Sequence, residues 1–160
     1  MIRRSSWGLV VFVSCLFCLP VHGKSLVIRE VYLERHTEGD FRRLSSRFHA
    51  RPPDFPFTIL RTDPDQWEGV YFILSLNRRT KNLPPDSEIN LRCWLGGDPV
   101  LHEFRLPVTD PKLRSREIWM GLTSPGQRNR EPRNFHAWAI DIRCADEVLA
   151  AKKSFLFREK

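Results

Sequence analysis

The sequence predicts an all-β protein, a two-sheet antiparallel sandwich of about seven strands. Three observations carry that prediction. Apolar and polar residues alternate over short stretches along most of the chain. Turn clusters separate those stretches: Asn77-Arg78-Arg79, Leu83-Pro84-Pro85-Asp86, Gly96-Gly97-Asp98-Pro99 and Ser124-Pro125-Gly126. No segment sustains the 3.6-residue apolar period of a long helix.

The first segment in chain order stands outside the fold. Met1-Ile2-Arg3-Arg4 is a short basic start, Gly8 to Pro20 (GLVVFVSCLFCLP) is an apolar run, and Val21-His22-Gly23 is an exit of small residues. That is the order of a secretory signal peptide at 1–23, with cleavage after Gly23 and a mature N-terminus at Lys24. The alternative is an uncleaved anchor, but the run is short of the ~20 residues a membrane span needs. Phe17 before Cys18 is too bulky for a lipoprotein signal. Cleavage leaves 160 − 23 = 137 residues, the length of one domain at 24–160 with a single core.

The first mature strand, Leu26 to Arg35, changes phase, because Leu26 and Ile28 share one parity and Val31 and Leu33 the other. A bulge near Arg29-Glu30 explains the change and lets the strand cross between two sheets. His36 to Trp67 is a proline-rich insertion. Inside it Phe41, Leu44 and Phe48 are spaced for one short helix, with Asp40 as N-cap. Phe57 to Leu60 reads as a short edge strand. Glu68 to Leu76 (EGVYFILSL) is apolar on both faces, as a covered strand is.

Ser87 to Leu95 puts Ile89, Leu91, Cys93 and Leu95 on one face. Val100 to Val108 alternates through Phe104 and Leu106, and Glu117 to Leu122 through Ile118 and Met120. Phe135 to Cys144 gathers Trp138, Ile140, Ile142 and Cys144 on one face. Val148 to Phe157 is mixed: EVLAAKK favours helix and SFLF favours strand. Its closeness to the previous strand, through Ala145-Asp146, makes it the second arm of a hairpin.

Of four cysteines, Cys15 and Cys18 fall in the signal, so the mature chain keeps Cys93 and Cys144. Both share the parity of apolar neighbours, and in an exported protein they are expected to form one disulfide. The paired inward cysteines, the inward Trp138 between them and the closing hairpin through Ala145-Asp146 resemble the immunoglobulin-like and fibronectin-III-like sandwich superfamily. That resemblance implies the fold of most of 24–160 and no binding residues. Two features depart from an immunoglobulin domain proper. Trp138 lies on the second cysteine's own strand, and Ile142 stands where a tyrosine would be.

The formal charge is +7, and removing Arg3 and Arg4 leaves +7 − 2 = +5. A diffuse positive surface suits anionic partners in general. Lys112, Arg114 and Arg116 lead into one strand, and Arg128, Arg130 and Arg133 into another. Arg42, Arg43, Arg47 and Arg51 crowd the insertion among Phe41, Phe48 and Phe55. Arginines with aromatics grip phosphates, sulfated glycans or acidic protein surfaces, so Arg114, Arg116, Arg128, Arg130 and Arg133 are the candidate anion- or partner-binding residues. The bland alternative is a solvated surface.

Other chemistry finds little support. Ser124 precedes a proline and lacks nucleophile-elbow spacing. His102 and His136 fall on inner faces but are more simply core or rim residues than metal ligands. Asp86, Asp98, Asp110 and Asp146 sit in turns, where aspartate caps its own backbone. The expectation is therefore a non-catalytic exported module without cofactor or metal, binding a protein or a cell-envelope component. A small secreted hydrolase or metal-dependent enzyme is one alternative, and a structural subunit assembling by edge-strand pairing is another. Export disfavours nucleic acid. The absence of any N-x-S/T acceptor suits a periplasm better than a eukaryotic secretory route.

Overall fold

The alternating segments form eight strands in two four-stranded sheets, with one α-helix, in a computed structural model describing residues 25–48, 55–127 and 129–158. The expected signal segment 1–23, Lys24, Arg51 and Arg128 lie outside the described residues. The first sheet has the order β1 (Ile28–His36), β3 (Gly69–Leu76), β6 (Glu117–Leu122), β2 (Thr58–Arg61). The second has the order β5 (Leu101–Pro107), β4 (Ser87–Leu95), β7 (Phe135–Cys144), β8 (Glu147–Lys153). All neighbours are antiparallel except β2, which lies parallel to β6. The expected short edge strand is therefore present, with a pairing direction its four residues did not reveal.

Strand parity builds the core. Val70, Phe72, Leu74, Ile118 and Met120 face Ile89, Leu91, Cys93, Ile140 and Ile142 between the sheets, all fully or almost fully buried. Trp138 packs against this core, edge-on to Phe72 with ring centroids 6.1 Å apart. The opposite parity of the first sheet supplies Tyr71, Ile73 and Trp119 to a second cluster with Phe41, Phe55 and Phe57, under the helix α1 (Glu38–Phe48) and the insertion. This is why Glu68 to Leu76 is apolar on both faces: β3 is covered on both. Gly121 is required here, since a Cβ would stand 2.5 Å from the Tyr71 ring.

Local expectations meet three adjustments. The bulge falls between Ile28 and Glu30, as the phase change predicts, but β1 stays paired with β3 from Ile28 to His36 and does not cross sheets. Leaving would forfeit ladder hydrogen bonds that β3 offers along its whole length. At α1 the N-cap is Thr37, not Asp40. Asp40 instead closes a capping box, accepting hydrogen bonds from the Thr37 N–H and hydroxyl, both at 2.7 Å. Finally, β8 ends at Lys153. Its helix-favouring sequence is overridden by pairing with β7. Beyond Ser154 the chain turns so that Phe157 packs on Ala137, Ala139 and Trp94, whose neighbouring small side chains leave it room on the outer face.

The expected Cys93–Cys144 disulfide does not form, and both thiols are free. Cys93 pairs across to Trp138, whereas Cys144 pairs with Ser87. The two cysteines thus lie on adjacent strands of one sheet, displaced by six positions, about 20 Å, far beyond the span of a bridge. Parity put both on apolar faces, but parity carries no information about register.

Candidate anion-binding end

Of the five candidate arginines, the four that are described do not converge. Arg114 and Arg116 precede β6, while Arg130 and Arg133 follow it. The six residues of β6 put about 17 Å between its two ends.

At the end holding Arg114 and Arg116, two loops are tied together by one buried threonine. Thr80 lies in the connection from β3 to β4 and has no exposure. Its N–H donates to the Ser115 carbonyl at 2.8 Å and its hydroxyl to the Lys112 carbonyl at 2.9 Å. The Thr58 hydroxyl donates to Thr80 Oγ1 at 3.2 Å and accepts from the Lys112 N–H, which joins β2 to the same knot. Leu76 N–H donates to the Arg116 carbonyl.

The knot therefore sets Arg78, Arg79 and Lys81 beside Lys112, Arg114 and Arg116. Arg79, Lys81, Arg114 and Arg116 are exposed and Arg78 is half-buried. Among the described residues, none of these five side chains makes an ion pair or hydrogen bond. Lys112 pairs with Asp110, and the Glu117 carboxylate accepts from the Trp119 indole. Asp86 and Asp146, in turns at this same end, hold none of the five.

The opposite end spends its charges internally. Arg35 reaches both Glu68, at 2.8 Å, and Glu131, at 2.6 Å, and these contacts raise its already high pKa. Glu131 and Asn134 close a capping box around the short 3₁₀ turn Pro132–Asn134 that carries exposed Arg133. Arg130 donates to the Gly126 carbonyl at 3.2 Å, and its charge helps hold the Asp98 carboxyl below its usual range, after hydrogen bonds from Val100 N–H and His102.

In comparisons with protein-family models, curated proteins and solved structures, nothing matches this chain. Function therefore has to be read from its own residues.

The remaining candidates fall into structural places. On α1, Arg42 pairs with Glu38 and Arg43 with Asp40, while Phe41 and Phe55 point into the aromatic cluster, so among the described residues these do not form the expected arginine–aromatic surface; Arg51 lies outside them. Asp98 caps Val100 N–H at 2.9 Å, as a turn aspartate does, and Asp86 and Asp110 take left-handed turn conformations. His102 is held by Asp98 at 2.7 Å, and exposed His136 lies over Gly96. Among the described residues, no group of three His, Cys, Asp or Glu could hold a metal ion, and no helix is long and apolar enough to cross a membrane. Ser124 N–H donates to the Thr62 hydroxyl, fastening a turn.

Arg78, Arg79 and Lys81 are the residues that sequence reasoning missed, because they read only as a turn. A signal existed: between Glu68 and Asp86 the chain has three cations and no acid.

Proposed function

We propose that this chain is an exported, non-catalytic immunoglobulin-like module that binds an anionic cell-envelope component through its basic end. The fold assignment rests on connectivity. The β4–β5 and β7–β8 hairpins stay within one sheet, while β3–β4, β5–β6 and β6–β7 cross between sheets, the Greek-key habit of such sandwiches. Export rests on the signal-like residues 1–23. One observation carries the binding reading: five cations on two loops clamped by Thr80, with no carboxylate paired to them among the described residues. Fixed cations keep their field directed outward, and a multivalent anion gains from each of them.

Heparin serves as the polyanion probe. The purified protein should be retained at low salt and released steeply as ionic strength rises. Replacing Arg78, Arg79, Arg114 and Arg116 by glutamine should move elution to much lower salt, and replacing Arg130 and Arg133 should move it little. Equal losses from both sets, or none from the first, would return the basic end to an ordinary solvated surface.

A further inference from the structure

The first sheet ends at β2 and the second at β5, and the sandwich is open between these two edges. A cavity of about 450 Å³ lies there, lined by Leu60, Leu106, Pro107 and others, and a second of about 240 Å³ reaches Trp67 and the Asp110–Lys112 ion pair. Both are lined by Ile59, Arg61 and Thr109, so they form one groove along β2.

The backbone of β2 faces this groove in an unused register. Thr62 N–H donates to the Gly121 carbonyl of β6 at 3.0 Å. Strand residues turn their N–H and C=O to alternate sides, so Thr58 and Leu60 also bond to β6, and Ile59 and Arg61 turn theirs to the groove. Among the described residues no backbone hydrogen bond engages that side. The Arg61 guanidinium lies 3.7 Å over the Trp67 ring and spends one donor on the Gln66 carbonyl at 3.0 Å. It makes no ion pair among the described residues, although Asp63 and Asp65 are near in sequence. Partial burial, the largest influence on it, lowers its pKa, which marks a cation taken partly out of water without a carboxylate in contact.

We propose that this groove takes an extended acidic peptide, which adds as a strand to the free edge of β2 and sets a carboxylate against Arg61. An exposed strand edge is a template for another strand. The Arg61 cation chooses the occupant: its guanidinium keeps donors in a planar fork that matches a carboxylate, and no carboxylate is paired with it among the described residues, since Lys112 takes Asp110. None of Arg78, Arg79, Lys81, Arg114 and Arg116 lines this groove, which meets the basic end only through Lys112 and the Thr58 hydroxyl.

The test uses fluorescence polarisation of labelled (Val-Glu)₄, with (Val-Lys)₄ as the charge-reversed control. The protein should bind the first and not the second. Arg61→Gln should weaken binding tenfold or more, and Arg61→Lys should recover it only in part. Ile59→Pro removes an N–H that no β2–β6 bond uses and should also abolish binding. Circular dichroism melts at wild-type values separate these losses from misfolding, and if Ile59→Pro does not fold, the two Arg61 variants decide. Arg114→Gln with Arg116→Gln should leave peptide binding unchanged, which keeps this result separate from the heparin result. Equal binding of both peptides, insensitivity to Arg61→Gln, or dimerisation that Ile59→Pro abolishes would overturn the proposal, the last in favour of a second copy at this edge.

Discussion

The two ends of the sandwich are made of similar loops, and each carries arginines spaced closely in sequence, yet they use their charge differently. At the end around Arg35, acids from three separate segments meet the cations, and Arg35 alone bridges Glu68 and Glu131. At the end around Thr80, hydrogen bonds to backbone carbonyls organise the loops, and apart from Lys112 the cations on them have no ion-pair partner among the described residues. A run of arginines is thus no measure of an anion-binding surface. What counts is whether the fold delivers carboxylates to the same place.

The largest effect that would sharpen this contrast is expected from Thr80→Val. It changes no charge, but it leaves the Lys112 carbonyl without its hydroxyl donor and the Thr58 hydroxyl without its acceptor. Stability should fall by about 2–3 kcal/mol in chemical denaturation. Heparin retention should fall with it, because the two basic loops are no longer held side by side. Lost stability with unchanged retention would mean that the clamp does not organise the basic end.

Next comes Arg35→Ala at the other end. Both ion pairs are partly solvent-exposed, so the loss of stability should be small, well below that of Thr80→Val. Heparin retention should not change, since the charge removed is already neutralised. A marked drop in retention would break the distinction between the ends.

A similar magnitude is expected at the capping box of α1. Hydrogen bonds from Thr37 and the Arg43 guanidinium hold the Asp40 carboxyl well below the usual carboxylate range. Its folded pKa lies below the unfolded one, so its stabilisation is complete above about pH 4 and disappears as pH falls through the folded value. Asp40→Asn should cost about 0.5–1 kcal/mol at neutral pH, and the gap from wild type should narrow in melts taken at progressively lower pH. A gap constant from neutral pH to below pH 3 would show that the ionised carboxylate is not what matters.

The smallest effect concerns the cysteines, which belong to opposite ends of the molecule. Reductant should leave the melting temperature unchanged. The half-buried Cys144 should alkylate in the native state. Cys93 is fully buried, and burial pushes its thiol up to about 12, so it should react only on unfolding. A protein with no reactive thiol after unfolding without reductant would reinstate the bridge.

By itself, the sequence determined which segments are strands and which of their faces are buried. Alternation reports local solvent contrast, and it located β4, β5, β6 and β7 and, through its change of phase, β1 with the bulge at Arg29-Glu30; a run apolar on both faces marked the doubly covered β3, and β8 was placed only by its closeness to β7. The tertiary structure alone decided three things: the register that parts Cys93 from Cys144, the parallel direction of β2, and the union of Arg78, Arg79 and Lys81 with Arg114 and Arg116. Each depends on residues far apart in the chain. A period of two repeats unchanged when a strand slides by two positions, and charge in one loop says nothing about the loop that packs beside it.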